Sequence, residues 1–570
     1  MSTPTGGASH APNILIIITD QDRATQHYPA GWEEKYQPNL TLLKQNGVSY
    51  DNAFCNTCMC SPSRSTLLTS LYPAQHGVKD TLTYGSIYSP PEPTLDPSTP
   101  NLATMMRGAY RNYYRGKWHL NKGGQNHVHP EKSLMRADIA LYGFEGWVPP
   151  DAGEDVKLEN CGGGFANHDA EYIAQTIQAI KEHQTEQEAR VQQGLDPQPF
   201  FMIVSLVNPH DVLTYPDTYI QAGYSDDDLV NEIPLPASST ERLVTNFKPS
   251  AHWLQKVGAL KGLGGLTDPK QQLAYINFYG NLQSLVDSEI GKLLDMFYDG
   301  PDGSGERTPT DLGRDTVIIK IADHGEMGMA HGGMRQKAYN TYEETIRIPM
   351  VFSNPVLFNK RRGQTDNMQL ISLIDMMPTL AGMVNTVAGK ELVKVPDGAK
   401  GVDMSPSLFN NSDAPIQTSV MFTYDDIRAG QTGSAEPIPA ADRLRSIRSH
   451  KWKYAHYFRA DSAYKDEFEL YFLVGVHTED ELSQEAIDAE KALLKQHYED
   501  NMDDSKAEQF LTQYLRRYPY EYVNLAYPDN PLVQDLPKGV QAFVARKRVE
   551  MAALLKQREH ELLRNDIPMI

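Results

Sequence analysis

Residues 13–19 form a short β-branched run, aliphatic from Ile14 to Ile18, that stops at Asp20-Gln21-Asp22, the pattern of a strand buried on both faces with its polar end at the edge of a sheet. Pro38-Asn39-Leu40 opens a helix that Gly47 closes, residues 48–54 read as a strand, and residues 63–71 read as a second helix. Further apolar runs at 200–207, 316–322 and 348–352 predict buried strands, with a long helical window at 271–297 between them. Strands alternating with helices imply an α/β fold with a mainly parallel, doubly covered sheet. Beyond about residue 400 the texture changes. Residues 418–424, 444–457 and 469–473 alternate as short strands and predict a small antiparallel sheet, and the charged, helix-forming stretch 479–520 reads as a solvated helical insertion. The expected division is therefore an α/β catalytic domain over 1–400 and a smaller sheet subdomain with its insertion and tail over 401–570.

Composition narrows the functions. A net charge of −20 argues against nucleic acid, which rewards clustered Lys and Arg. The longest apolar runs are strand-sized, so no membrane span is expected, and the first ten residues lack both the basic start and the apolar run of a secretory signal, which predicts a cytoplasmic enzyme. Four cysteines in 570 residues are too few for a disulfide scaffold. Three of them, Cys55, Cys58 and Cys60, crowd into six positions, which points to chemistry or metal.

Cys60-Ser61-Pro62-Ser63-Arg64 falls between a predicted strand and a predicted helix. A side chain just before a helix meets the anion-stabilising field of its N-terminus, and Arg64 one turn inside adds a fork of donors, so both features suit a tetrahedral oxyanion. Cys-x-Pro-Ser-Arg followed by Leu68-Thr69 resembles the signature of the sulfatases, members of the alkaline phosphatase superfamily, and the resemblance runs from about residue 13 to residue 526. It implies that Cys60 is oxidised after translation to formylglycine, whose hydrated aldehyde supplies the attacking oxygen. Pro62 and Arg64 would then be read by a formylglycine-generating enzyme as maturation partner. Two other readings compete. Cys55, Cys58 and Cys60 offer zinc ligands, but no second Cys/His pair of suitable spacing follows. Cys58-x5-Arg64-Ser65 fits a cysteine phosphatase loop formally, but that loop is glycine-rich, whereas here Pro62 lacks an amide.

Asp20-Gln21 ends the first predicted strand and Asp323-His324 ends another, and in an open parallel sheet such carboxyl ends converge on one crevice. Oxygen donors from Asp20, Gln21 and Asp323, with His324 and an oxygen of the residue at Cys60, would complete the shell of one divalent metal ion. The pairing of Asp-Gln with Asp-His is similar to choline sulfatases and phosphonate monoester hydrolases. The nitrogen ligand moves the preference from calcium towards manganese, and Asp22 is a substitute ligand.

Gly116-Lys117-Trp118-His119 resembles the second sulfatase signature, Asn208-Pro209-His210 the family's Pro-His step, and Lys337 the lysine before the family's Tyr-Glu-Glu segment. Lys117 and Lys337 are expected on the sulfate oxygens, with His210 or Lys337 as general acid. His119 is expected to take a proton from the hydrate so that the covalent sulfo-enzyme expels sulfate. Glu343 and Arg347 read as a structural ion pair. Glu469-Leu-Tyr471 and Asn524-Leu-Ala526 resemble the family's closing elements.

The expected activity is that of a sulfuric ester hydrolase, cleaving a small sulfate monoester to alcohol and inorganic sulfate. A phosphonate monoester or phosphodiester hydrolase using the same centre is the first alternative, and a non-catalytic oxyanion-binding protein with an unmodified Cys60 the second. Tyr84, Tyr110, Trp118 and Trp147 are either an aromatic pocket for the alcohol or core. The tail over 564–570 is expected to reach a neighbouring subunit of a homo-oligomer.

Overall fold

The computed structural model of the chain describes residues 11–82, 93–121, 134–153, 155–229, 232–301, 306–411, 414–425, 441, 443–459, 465–478 and 502–563. The first apolar run forms β1 (Asn13–Asp20). Its side chains alternate across the sheet: Leu15 and Ile17 enter one core, Ile14, Ile16 and Ile18 the other, all of them almost fully buried. Each such side chain contributes about 2 kcal/mol.

Six further strands join it: β2 (Gly47–Tyr50), β4 (Arg111–Gly116), β5 (Phe200–Pro209), β6 (Thr316–Ala322), β7 (Met350–Ser353) and β8 (Gln364–Asp366). They lie in the order β4-β5-β1-β6-β7-β2-β8, and only β7 runs against its neighbours. The helices His168–Gln192 and Pro269–Leu294 cover one face through Ile173, Ile180, Val286, Ile290 and Leu294. Cys60–Thr69 and Met376–Ala388 cover the other through Leu67, Leu68, Met377, Leu380 and Val384. Between β2 and β4 comes a short strand, β3 (Ala53–Phe54), which pairs with β9 (Ile371–Ser372). The single strand expected over 48–54 is therefore two.

The C-terminal sheet is a four-stranded antiparallel meander of β10 (Ser419–Tyr424), β11 (Arg443–Ser449), β12 (Trp452–Phe458) and β13 (Glu467–Phe472). One face carries Ile447, Trp452, Leu470 and Phe472 against the helices Asp504–Leu515 and Lys538–Leu563, while Phe422, Leu444 and Tyr457 on the other join the main core. Asp504–Leu515 is thus a cover and not a solvated insertion, because Phe510, Leu511 and Tyr514 face the sheet. Residues 479–501 of that expected insertion, the 564–570 tail and Tyr84 lie outside the described residues. No helix among the described residues is long and apolar enough to cross a membrane.

The stretch before the Cys60 helix is fastened to strands far along the chain. Asn56 Nδ2 donates to Ser372 Oγ (3.0 Å) and the Met421 carbonyl (3.2 Å), Asn56 Oδ1 accepts from the Ile374 amide (2.9 Å), and its carbonyl accepts from the Thr423 amide (2.8 Å).

Candidate active site

β1 and β6 run in register, Thr19 opposite Ala322, so Asp20 and Asp323 meet where the two strands end. Both are fully buried. Gln21 adopts a left-handed φ of 65° and crosses the end of β6, where its amide donates to Asp323 Oδ1 (3.0 Å). Gly325 is required after His324, because a β-carbon there would overlap the Glu344 carbonyl.

The helix expected over 63–71 begins three residues earlier, with Cys60 itself as its first residue and Met59 as an extended N-cap. Pro62 in the first turn gives up no helical bond. The Cys60 thiol lies 3.7 Å from Asp20 Oδ1 and 3.2 Å from His324 Nε2. Ligand atoms of Asp20, Cys60, Asp323 and His324 all fall within 4.8 Å of one another, every one buried. One turn on, Arg64 joins the two strand ends: Nη2 is 3.1 Å from Asp20 Oδ2 and Nε 3.0 Å from Asp323 Oδ2, while Nη1 donates to Ser205 Oγ (2.6 Å) and the Lys117 carbonyl (3.1 Å).

β4 ends at Gly116, whose φ of 84° and contact with the Ser205 carbonyl admit no side chain. The turn sends Lys117 inward, its Nζ 2.5 Å from Asp20 Oδ2 and donating to the Gly153 carbonyl. Asp151 accepts from the Trp118 amide (2.7 Å) and the His119 amide (2.9 Å) and so fixes the loop. His119 Nε2 is 2.6 Å from the Leu82 carbonyl, which can only accept; the neutral ring therefore carries its lone pair on Nδ1. His210 follows the end of β5 and is buried. Lys337 donates to Gln21 Oε1, and Gln21 Nε2 donates to Glu326 Oε2 (2.6 Å). Glu326 also accepts from Tyr275 Oη and the Gln336 amide, both at 2.8 Å, so it sets which way the Gln21 amide faces.

Several expectations are corrected. Asp22 is no substitute ligand: it turns away to Lys320, Thr19 Oγ1 (2.8 Å) and Gln283 Nε2 (2.7 Å). Glu343 and Arg347 do not pair with each other. Glu343 is held by Arg448 and Lys453, each at 3.3 Å, and Arg347 by Asp51 at 3.4 Å, because the helix between them ends at Ile346. The zinc reading fails because Cys55 and Cys58 face each other in the core, 4.0 Å apart, while Cys60 turns to Asp20. The phosphatase-loop reading fails with it, since burial pushes the Cys58 thiol far above its ordinary range. Tyr110, Trp118 and Trp147 are core, at 3 %, 0 % and 0 % exposure.

Burial alone would raise Asp20, but Lys117, His210, Arg64 and His324 together hold its carboxyl well below the usual range. Burial and Asp20 push the Cys60 thiol up, and Lys337, Lys117 and His324 outweigh them, so it falls below its ordinary value. Burial, reinforced by Lys117, holds both His119 and His210 well below the imidazole range. His324 is drawn up to about 10 against burial, by Asp323 and Cys60, which marks that corner as short of positive charge. Two buried carboxylates and an imidazole converging on such a corner fit one divalent cation.

Asp151, Asp169 and Glu326 are the supporting residues that local pattern does not reveal, because their partners are distant in sequence. Asp169 accepts from the Val207 amide (2.6 Å) and the Asn208 amide (3.1 Å), holding the end of β5 that leads to His210. Burial raises its pKa to about 7. A carboxyl protonated in the fold up to that pH, yet ionising near the ordinary 3.8 once unfolded, adds stability that is complete at low pH and is lost as pH rises towards 7. Asp169→Asn should flatten that decline in urea unfolding across the same window, and an unchanged slope would refute it.

A family model described as Sulfatase matches residues 12–386. The ulvan-active sulfatase of Formosa agariphila is 25% identical over 519 residues, covering 90% of this chain and 85% of its own. A solved structure in complex with its substrate D-glucosamine-2-N,6-O-disulfate is similar in fold, with a TM-score of 0.58, 18% identity, and 98% of this chain and 99% of that one covered. The phosphonate monoester hydrolase of Agrobacterium radiobacter also shares the fold, with a TM-score of 0.55, 21% identity, and 88% and 95% covered.

Proposed function

Because this chain belongs to the sulfatase family, we propose that it hydrolyses sulfate monoesters to an alcohol and inorganic sulfate at the centre where β1 and β6 end. One observation carries the reading: the Cys60 thiol, at the head of a helix, stands within 4.8 Å of ligand atoms of Asp20, Asp323 and His324, all in a buried site. The family implies formylglycine and a metal ion, and both are assigned here to this chain's residues. Formed at Cys60, the formylglycine hydrate would supply the attacking oxygen. A divalent ion held by Asp20, Gln21, Asp323, His324 and the residue at position 60 would supply Lewis acidity, with the imidazole favouring manganese over calcium.

The chain's own groups do the rest. Lys117 and Lys337 are buried and would oppose the charge on the sulfate oxygens, an effect that the low dielectric around them strengthens. Arg64 holds Asp20 and Asp323 apart at fixed spacing, so the carboxylates need no reorganisation when the ester arrives. His119, neutral and fixed through Leu82 and Asp151, presents Nδ1 as a proton acceptor. Lys337 is assigned as donor to the leaving oxygen, since burial and Lys117 keep His210 neutral.

The second reading, a phosphonate monoester or phosphodiester hydrolase, is supported by the Asp-Gln and Asp-His pairs that terminate the two strands. Specificity constants for 4-nitrophenyl sulfate and 4-nitrophenyl phenylphosphonate separate the two. We expect the sulfate to lead by at least about tenfold, 1.4 kcal/mol in transition-state binding; a lead for the phosphonate moves the function to the alternative. The peptide containing residue 60 should show a mass loss of about 18 Da for thiol converted to aldehyde.

A further inference from the structure

A second group of ligating side chains is buried where the loop after β6 meets the C-terminal sheet. His331, Glu344 and Glu521 each place a ligand atom within 4.8 Å of the others, and none of them belongs to the reacting centre. The His331 ring stacks on Tyr342, 3.6 Å between centroids. Its Nδ1 is 2.7 Å from Glu241 Oε2, a carboxylate that can only accept, so Nδ1 carries a proton and Nε2 is the nitrogen turned to Glu344.

No hydrogen bond among the described residues reaches His331 Nε2 or Glu344 Oε2, although both atoms are buried. They lie 3.7 Å apart. That is too long for a hydrogen bond, yet near the separation of about 3.3 Å expected for two ligands on one tetrahedral ion. Of the permanent cations nearby, Lys453 pairs with Glu521, one of the three, and with Glu343, while Arg448 is engaged on Glu343 and Lys248 on Glu241. Glu344 is left with no such partner among the described residues, and an uncompensated carboxylate is costly to bury.

We propose that His331, Glu344 and Glu521 hold a second divalent ion, of the zinc type, with Glu241 as the carboxylate that orients the ligating imidazole. A histidine whose far nitrogen donates to a carboxylate is the usual arrangement around such an ion. The ion is structural: it ties the loop bearing Asp323, His324 and Lys337 to the segment around Glu521, and the inference does not depend on the reaction proposed above.

Metal counting tests it. The full-length protein, stripped with EDTA, reloaded with zinc and freed of excess by gel filtration, should retain two zinc ions per chain by mass spectrometry of the elements. His331→Gln or Glu344→Gln should lose one of them and Asp323→Asn the other, and crystals of the wild type should show an anomalous zinc peak between the three side chains. Wild-type protein that holds only the ion removed by Asp323→Asn overturns the proposal, as does an unchanged zinc content in folded Glu344→Gln, a variant close to isosteric.

Discussion

Cys60→Ala should lower kcat/KM for an aryl sulfate by at least about 10⁴-fold, because it removes the only source of the proposed nucleophile while leaving every charge around it in place. The fold should survive. Cys60 is 3 % exposed and the first residue of its helix, and losing one sulfur atom from that position costs about 1 kcal/mol. The helix is still started by Met59, and Arg64 still bridges the strand ends. Steady-state kinetics beside a thermal melt decide the matter. A variant that keeps more than about a tenth of the wild-type rate, well outside what loss of a nucleophile allows, would sink the assignment of position 60.

Arg64→Ala should be the most damaging single change to stability in the centre, at about 3–5 kcal/mol, because it strands two buried carboxylates together. Asp20 retains Lys117, but Asp323 keeps only His324, 3.6 Å away, as an ionisable partner among the described residues. Turnover should fall as well, through the lost geometry of the Asp20–Asp323 pair. Arg64→Lys separates the two effects: one ammonium restores charge but not the fork that spans both carboxylates. It should regain part of the stability and little of the activity. Urea unfolding that places Arg64→Ala within about 1 kcal/mol of wild type would contradict the bridging role.

The strand ends were legible because aliphatic runs terminate abruptly at acids, and burial in a parallel sheet demands such runs. β4 was not legible. Its sequence, Arg-Asn-Tyr-Tyr-Arg-Gly, looks like surface, yet Asn112 Nδ2 is satisfied by the Ala103 carbonyl (2.8 Å) and Arg115 Nη1 by the Tyr114 carbonyl (2.8 Å). The helices His168–Gln192 and Lys538–Leu563 escaped for a related reason, since charged outer faces dilute their apolar stripes. Lys117, His119 and Lys337 are singled out by resemblance to family signatures and not by a strand pattern, and His210 by a signature that also follows a legible strand. Glu326, three residues past Asp323, has no local signature of its orienting role, because that role is defined by Gln21 and Tyr275, which lie 305 and 51 residues away respectively. Glu343 and Arg347 misled through their spacing of four, a reliable guide only where the helix continues.

The Asn56 clasp bears on what a shortened gene product can do. Every residue assigned to the reaction lies before position 340, so a chain terminated at 418 would carry the whole reactive inventory. It would lack the Met421 carbonyl and the Thr423 amide on which the approach to position 60 hangs. Such a product should be inert for want of anchorage rather than chemistry, so that activity should arrive only once synthesis has passed β10.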